Sequence, residues 1–473
     1  MRKLEGLNPK KVFYYFEELT KIPRCSGNEL EVAKYIEGVG KSLGYRTFRD
    51  EFHNVVIEKP AQNNHPSRKT IILQAHTDMV CVARDGFDFD FSCMPIPVKV
   101  EGDWVATEGT TLGADNGIGA AMMLALLDDQ DLMLPAITCL FTATEETGMN
   151  GVIGLEKGSV KGDMLINIDS EEEGVLLTSC AGGVNHSSAL KVTYDGSAGN
   201  LKKIIVSGLR GGHSGMEIVK ERANAVKLLA RVLGSIEGVR IADIKGGVKM
   251  NAIPQVAEAV VHGDVERVAA EMEQVFRNEY FSNDPDIKVT LADVEGELPL
   301  LSEKSGNDII HYLRIAPHGK VGMSKTIHGL VETSLNLAIV QIEDDIFRIE
   351  HSVRSSVRSL KYEVADTLKR LITVFGGESR MSDGYPEWQY REESYLREHM
   401  KTVWKDMHGK DMTVTAIHAG LECGYLVEKI GDIDMVSIGP DHQDVHTPDE
   451  RVCISSVERV FSFLIKTLER IQL

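Results

Sequence analysis

Short segments that join apolar runs to acidic or imidazole side chains recur along this chain of 473 residues. In the first, the strand-like run 71–74 leads into His76 and Asp78. Residues two apart on an extended chain point to the same side, so both side chains share one face. His76 can bind a metal ion through one ring nitrogen while Asp78 accepts a hydrogen bond from the N–H group of the other nitrogen. Taken alone, the pair favours a purely structural role.

Carboxylates occupy three further segments. Asp115 lies in the glycine-rich turn 113–121, where capping of the following helix is the simpler role. Glu145 and Glu146 follow one strand-like run, and Asp169 ends another. Neighbours on an extended chain face opposite sides, so one glutamate can bind metal while the other faces substrate or water. Adjacent carboxylates repel each other unless a positive charge lies nearby, and a divalent cation would supply that charge.

The last segment, 439–450, contains both His442 and His446. Singly, each segment is compatible with a cap, a turn or a solvated acid, but their order along the chain is specific. Together they resemble the M20 family of metallopeptidases, whose members share His-x-Asp, a bridging Asp, Glu-Glu, a further Asp and a late His. The resemblance covers nearly the whole chain. It favours His446 as the late ligand, because Thr-Pro-Asp-Glu follows it, and leaves His442 as a supporting or surface residue.

The resemblance implies two divalent ions, with zinc expected and manganese or cobalt as alternatives, since all three suit carboxylate and imidazole ligands. The implied ligands are His76, Asp115 and Asp169 for one ion, and Asp115, Glu146 and His446 for the other. Glu145 would be the general base that takes a proton from the metal-activated water and passes it to the leaving amine. Asp78 would assist catalysis through His76. The resemblance also implies a cis peptide bond between Asp115 and Asn116.

Further candidates lie in the middle of the chain. The resemblance places His213, in the glycine-rich segment 210–215, over the active site as a stabiliser of the oxyanion. Asn251, in the segment 250–254, would be a second substrate contact. A guanidinium matches the two oxygens of a dipeptide carboxylate, so Arg354 is preferred for that contact, with Arg358 as the alternative. Either arginine could equally be a surface residue. Glu422 lies in another family-like segment but receives no role.

The order of elements predicts an α/β fold interrupted by an inserted α+β region in two similar halves. The resemblance implies that the α/β part is a zinc-peptidase-like catalytic domain and that the insertion is a lid domain. The predicted boundaries are 1–184 for the first part of the catalytic domain, 185–398 for the lid and substrate-binding domain, and 399–473 for the second part. Within the insertion the predicted strands and helices fall into two sets, 203–206, 223–233, 248–253 and 257–263, then 334–341, 347–353 and 364–375.

Composition narrows the class of protein. Acidic residues exceed basic ones by 19, which would repel nucleic acid and an anionic membrane surface. No apolar run approaches the roughly 20 residues of a membrane span, and the first residues lack the apolar centre of a secretory signal. The seven cysteines form no CxxC pair and are expected to be reduced. A cytoplasmic protein is therefore predicted. Its oligomeric state is left open between a homodimer and a monomer in which the two-part lid takes the place of the lid of a partner subunit.

The long insertion in two halves resembles the branch of the family that comprises aminoacyl-histidine dipeptidases. The predicted function is thus metal-dependent hydrolysis of Xaa-His and related dipeptides through a water activated by two metal ions. One alternative is an M20-type deacylase or carboxypeptidase that acts on N-acyl amino acids. Another is a metal-binding protein that has lost catalysis, and the retained Glu145 argues against it.

Overall fold

The computed structural model describes residues 2–382 and 384–472. In this part of the chain the helices are α1 (Lys10–Leu19), α2 (Leu30–Ser42), α3 (Ala114–Asp128), α4 (Asn150–Gly154), α5 (Ala225–Leu233), α6 (Glu266–Glu279), α7 (Glu303–Ile315), α8 (Arg358–Val374), α9 (Tyr395–His408), α10 (Glu422–Ile430) and α11 (Ile454–Glu469). The strands are β1 (Arg46–Arg49), β2 (Val55–Lys59), β3 (Thr70–His76), β4 (Val98–Glu101), β5 (Trp104–Thr107), β6 (Ala136–Thr142), β7 (Met164–Asn167), β8 (Val175–Cys180), β9 (Gly182–Lys191), β10 (Tyr194–Ala198), β11 (Leu201–Ser207), β12 (Gly212–His213), β13 (Arg240–Gly246), β14 (Ala252–Ile253), β15 (Ala257–His262), β16 (Lys288–Val294), β17 (Leu298–Leu301), β18 (Gly319–Met323), β19 (Val331–Glu343), β20 (Ile346–Ser355), β21 (Glu378–Met381), β22 (Thr413–Ile417), β23 (Asp434–Ser437), β24 (His442–Gln443) and β25 (Arg451–Cys453). The α/β class predicted from the sequence is confirmed.

The chain divides into two compact units. Unit 1 comprises Met1–Ser179, Tyr390–Ala416 and Leu421–Leu473, and unit 2 comprises Cys180–Gln389 and Ile417–Gly420. In unit 1 an eight-stranded sheet has the order β1-β2-β6-β3-β7-β23-β8-β22. Its central strands β6, β3, β7 and β23 are parallel. Strands β3, β6 and β7 are almost wholly buried, as expected of parallel strands covered on both faces.

The parallel order explains why polar residues converge in unit 1. The carboxyl ends of parallel strands meet at one edge of a sheet, and ligands collect there. His76 ends β3 and pairs with Thr142, which ends β6. The segments that follow β6, β7 and β23 carry the predicted acids and the late histidine. Helix α3, apolar nearly throughout, packs against α1 and β3 and carries Asp115 at its start.

Unit 2 is built on an antiparallel sheet of nine strands, in the order β16-β11-β15-β13-β19-β20-β9-β21 with β18 added beside β19. The first half supplies β11, α5, β13, β15, α6 and β16, and the second supplies β19, β20, α8 and β21 together with β9. Helix α5 is strongly amphipathic and is capped by Asn224, whose side chain accepts hydrogen bonds from the amides of Val226 and Lys227. Its apolar face packs into the core of unit 2.

Two expectations from the sequence are wrong. The predicted strand 248–253 is mostly a turn, and only Ala252–Ile253 pairs, with β12. The chain bends at Gly247, whose φ of +74° suits glycine and which lies so close to Ala338 O that a Cβ atom would clash. The cysteines are not all reduced, because Cys25 and Cys81 form a disulfide with a Cα–Cα distance of 5.7 Å. A β-bridge between Cys25 and Met79 places the segment around Cys25 beside the segment that leads to Cys81.

None of the helices in residues 2–382 and 384–472 combines the length and apolar composition needed to cross a lipid bilayer.

Candidate active site

His76 lies at the centre of a group of acids in unit 1. Its Nε2 atom is 3.1 Å from Asp115 Oδ1 and 3.3 Å from Asp169 Oδ1. Its Nδ1 atom is 3.4 Å from Asp78 Oδ1, so Asp78 lies on the side away from the other two acids. The His76 side chain is 1% exposed. This is the arrangement predicted for a histidine ligand with a supporting carboxylate.

Asp115 joins this group to the late histidine. Its second oxygen, Oδ2, is 3.2 Å from His446 Nε2, which also lies 2.9 Å from Glu146 Oε1. One carboxylate therefore contacts two histidines through two different oxygens. The Asp115–Asn116 peptide bond is cis, as predicted.

His446 and His442 differ in what they contact. His446 faces Asp115 and Glu146 from a backbone with φ of +65°, a left-handed conformation that is uncommon for histidine and clusters at functional sites. His442 instead pairs through Nδ1 with the carbonyl of Pro440, 2.9 Å away. The structure brings the predicted residues His76, Asp115, Glu146, Asp169 and His446 together and leaves His442 beside them.

Asp78 holds the loop that carries the two glutamates. Its carboxylate accepts hydrogen bonds from the backbone N–H groups of Glu145 and Glu146, at 3.0 and 3.2 Å, and from the Ser26 hydroxyl at 2.7 Å. Burial alone would raise the pKa of Asp78, but the hydrogen bond and charge of His76, together with these donors, lower it to about 2. Asp78 is thus a fixed anion that orients both His76 and the glutamate loop.

The sequence predicts Glu145 and Glu146 on an extended chain, where neighbouring side chains face opposite sides. That expectation is wrong. Strand β6 ends at Thr142, and both residues lie in a turn in which the Glu145 carbonyl accepts a hydrogen bond from Met149 N. Glu146 still contacts His446. Burial, with the charges of Asp169 and other nearby acids, raises the pKa of Glu145 well above its ordinary value despite the opposing charge of His76.

The charge balance of the group indicates a cation site. Burial disfavours a charged imidazole, yet the surrounding acids raise the pKa of His76 well above its ordinary value. Hydrogen bonds to Asp115 and Glu146 raise the pKa of His446 to about 10. Within the described residues, Asp169 Oδ1 is a buried acceptor with no hydrogen bond. His76, Asp115 and Glu146 each offer a ligand atom within 4.8 Å of the others, so the donor set fits a divalent cation.

Glu422 lies close to this group, although the sequence assigned it no role. It is 1% exposed and accepts hydrogen bonds from Gln74 Nε2 and Thr142 Oγ1, both at 2.7 Å. Burial raises the pKa of Glu422 to about 8. Glu422 is one of the acids whose proximity raises the pKa of Glu145.

In unit 2, His213 has a defined ring orientation. Its Nδ1 atom accepts hydrogen bonds from the N–H groups of Gly215 and Met216, at 3.3 and 3.1 Å. Burial and the charge of Arg354 lower the pKa of His213. A neutral histidine whose Nδ1 is an acceptor carries its proton on Nε2. His213 thus presents Nε2–H as a donor.

The other predicted substrate contacts lie in the same part of unit 2. Asn251 precedes Ala252, which pairs with His213, and its carbonyl accepts a hydrogen bond from Ser214 N. A cavity of about 490 Å³ is lined by His213 and Asn251 together with apolar residues such as Ile253. Its walls combine apolar surface with a few polar groups, as is typical of sites for small molecules.

Arg354 and Arg358 lie in different surroundings. Arg354 is 7% exposed and donates a hydrogen bond to the Tyr385 hydroxyl, whereas the Arg358 side chain is 60% exposed and lies 3.5 Å from Glu387. A Cβ atom on Gly215 would lie 3.1 Å from His213 Cε1 and 3.3 Å from Arg354 Cζ, so these two side chains flank Gly215.

One neighbour of these residues was missed in the sequence. His418 is 7% exposed, and its Nε2 atom lies 2.7 Å from Ser334 Oγ. Burial, with the charges of Arg354 and His213, lowers the pKa of His418 to about 4. Only its position directly before the family-like segment 419–424 was a signal for it.

Comparison with known proteins identifies the family of this chain. Residues 72–470 match the model of peptidase family M20/M25/M40. The chain is 36% identical to the cytosol non-specific dipeptidase of Escherichia coli K12, over 100% of this chain and 99% of the relative. The crystal structure of aminoacylhistidine dipeptidase from Vibrio alginolyticus superposes with a TM-score of 0.93 at 33% identity, covering 99% of this chain and 98% of the other.

A more distant structure shares the fold alone. Aminopeptidase PepT from Bacillus cereus gives a TM-score of 0.56 at 13% identity, and 98% of each chain is covered. The family match extends over most of the chain and includes every predicted metal ligand. The chain therefore belongs to peptidase family M20/M25/M40 and is a hydrolase of peptide bonds.

Proposed function

We propose that this chain is a dipeptidase that uses two divalent metal ions, with zinc expected, to hydrolyse Xaa-His and related dipeptides. One observation carries the proposal: the oxygens of Asp115 face two different histidines, as a ligand shared by two ions requires. The names of the Escherichia coli and Vibrio alginolyticus relatives support the choice of a dipeptide substrate.

The proposed ligands are divided between two ions that share Asp115. His76 and Asp169 complete one set, and Glu146 and His446 complete the other. When bound, the two ions would supply positive charge that polarises the substrate carbonyl and acidifies water. Asp78 would keep the His76 ring in the orientation that directs Nε2 toward the shared carboxylate.

Glu145 is the proposed general base. The pKa of Glu145 is raised toward neutral pH. A residue that both takes and returns a proton is most effective when its pKa lies near the working pH. Glu145 would accept a proton from the attacking water and deliver it to the nitrogen of the leaving amine. Asp78 fixes the backbone of Glu145, so the base is held in place by the residue that also orients His76.

Unit 2 is proposed to supply the groups that recognise the substrate. His213 would donate a hydrogen bond from its Nε2–H group to the oxyanion that develops in the transition state. Asn251 would hydrogen-bond a peptide group, and Arg354 would bind the free carboxylate of the dipeptide. In this proposal 185–398 form the substrate-binding domain, and 1–184 with 399–473 form the catalytic domain.

The choice of Arg354 over Arg358 is open to a direct test. Arg354→Lys keeps the charge but loses the planar fork, so KM for a dipeptide should rise at least about tenfold. Arg358→Lys is the matched control and should leave KM unchanged. A rise in KM in the Arg358 variant alone would reverse the assignment.

The proposed substrate class is tested by comparing an Xaa-His dipeptide, a different dipeptide and an N-acetyl amino acid, each before and after chelation of metal. We expect metal-dependent release of histidine from the Xaa-His dipeptide and no release of acetate. Release of acetate alone would instead indicate a deacylase, and the absence of turnover with metal bound would indicate a binding protein.

The relative from Escherichia coli is named as a cytosolic enzyme, which supports a cytoplasmic location for this chain. A homodimer stays a prediction.

A further inference from the structure

Glu450 is a buried carboxylate to which neither the sequence nor the proposed mechanism gives a role. It is 2% exposed. Its Oε2 atom accepts hydrogen bonds from Leu112 N at 2.8 Å and Gly113 N at 3.0 Å. Its Oε1 atom accepts from Ala114 N at 2.7 Å and Asp115 N at 3.3 Å. One side chain therefore holds four consecutive backbone N–H groups, and the last belongs to the proposed bridging ligand.

Arg24 holds the same loop from the other side. Its side chain is also 2% exposed, and its guanidinium donates to the carbonyl of Gly113 and to those of Thr77 and Asp78, at 3.0 and 3.2 Å. A Cβ atom on Gly113 would lie 2.5 Å from Arg24 Nη2, so the loop and the guanidinium are in close contact. The loop is fixed through both its N–H and its C=O groups.

Glu450 also connects two parts of the centre. It lies four residues after His446, which contacts the Asp115 side chain. The segment 446–450 thus touches Asp115 twice, through His446 at the carboxylate and through Glu450 at the backbone. A buried charge is costly unless its hydrogen bonds are satisfied, and here the loop amides satisfy it.

We propose that Glu450 is a positioning residue: it fixes the backbone of 112–115 so that the Asp115 carboxylate lies between His76 and His446 before the metal ions bind. This inference rests on the proposed metal centre. An ordinary helix cap at the start of α3 would satisfy one or two amides and need not be buried. Four amides on one buried acid, in the segment that supplies His446, indicate control of the ligand itself.

The test compares Glu450→Gln with a matched control. Glu17 is likewise buried and accepts backbone N–H bonds, from Lys3 at 2.7 Å and Leu4 at 3.2 Å, but it is not part of the proposed centre. Glu17→Gln therefore reproduces the loss of a buried carboxylate that binds amides. Metal-free protein of each kind is titrated with Zn²⁺ by calorimetry, and kcat and KM for a dipeptide are measured separately.

We expect Glu17→Gln to bind Zn²⁺ as the wild type does. Glu450→Gln should bind about 10–100-fold more weakly, because support of metal ligands is typically worth that much. In Glu450→Gln, kcat should fall while KM stays within about twofold, since the substrate contacts are unchanged. Wild-type affinity and kcat in Glu450→Gln would overturn the proposal and leave Glu450 as a helix cap.

Glu450→Asp decides the matter if Glu450→Gln does not fold. It keeps the charge but is one methylene shorter, so weakened Zn²⁺ binding supports the proposal and unchanged binding overturns it. Failure of the wild type itself to bind Zn²⁺ would overturn the proposed metal centre and this inference with it. If only the role of Glu450 is wrong, the wild type binds Zn²⁺ and the Glu450 variants bind it equally well. The two failures are therefore distinguishable.

Discussion

The two units bury histidines in opposite electrostatic surroundings. In unit 1 His76 is 1% exposed, and the acids around it raise its pKa well above the ordinary value. In unit 2 His351 is fully buried, and burial lowers its pKa to about 3. The rings of His186 and Tyr312 lie beside His351 in place of carboxylates. Burial penalises the charged ring in both units, so the neighbours decide the charge state.

This contrast separates a histidine that can serve a metal site from one that serves packing. Neither ring nitrogen of His351 has a hydrogen-bond partner among the residues that the structure describes. His76 instead faces three acids. A lone histidine in a sequence does not reveal this difference, but a histidine at a strand end with acids at neighbouring strand ends does.

The largest expected effect follows from removing the acid shared by the two proposed ions. Asp115→Asn should lower the bound metal and reduce kcat by about 10³-fold or more, because the acidification of water by the ions is lost. His351→Phe is the control from unit 2 and should retain both metal and activity. Metal analysis alongside turnover checks the pair. Equal losses of metal and activity in Asp115→Asn and His351→Phe would contradict the distinction between a metal site in unit 1 and a packing histidine in unit 2.

A smaller effect is expected at His213. His213→Gln should lower kcat by about 10²–10³-fold, the usual value of one oxyanion donor. Bound metal should not change, because His213 belongs to unit 2 and is not a proposed ligand. Loss of metal from this variant would place His213 among the ligands instead.

The smallest effect concerns stability in acid. The folded-state pKa of His351 is about 3 and its ordinary value is 6.5, so the unfolded chain takes up the proton first as pH falls. Stability should therefore decrease from about pH 6.5 toward pH 3. This histidine should cost about 2 kcal/mol between pH 7 and pH 5. Urea unfolding of metal-free wild type and His351→Phe measures the difference.

The phenylalanine variant should show the weaker pH dependence in that range. It loses no hydrogen bond, since the ring nitrogens of His351 make none within the described part of the chain. An unchanged pH dependence would show that His351 is protonated in the folded protein or shielded by another group.

Much of the centre in unit 1 could be predicted from the sequence because it depends on strand ends. His76, Glu146 and Asp169 each follow a buried run, and the parallel order of β6, β3 and β7 brings those runs to one edge. Asp115 and His446 could be added only through the resemblance to a family. The α/β class follows from the same alternation of apolar runs and amphipathic helices.

The rest depends on contacts between distant segments that leave no local pattern. Glu450 binds amides more than 330 residues earlier in the chain, and nothing in its neighbours along the sequence indicates this. The Cys25–Cys81 disulfide joins residues 56 apart. The turn at Glu145 could not be predicted, because the apolar pattern of the strand that ends at Thr142 does not show whether the next residues continue as extended chain or turn.

The division of labour between Glu145 and Glu146 is the central claim of the proposed mechanism. Glu146 contacts His446 and should hold metal, whereas Glu145 has the raised pKa expected of a proton carrier. The most direct test measures metal stoichiometry and turnover together in Glu145→Gln and Glu146→Gln. Glu145→Gln should keep its metal and lose about 10²–10⁴-fold in rate, while Glu146→Gln should lose metal and activity together. Loss of metal from Glu145→Gln as readily as from Glu146→Gln would contradict the mechanism.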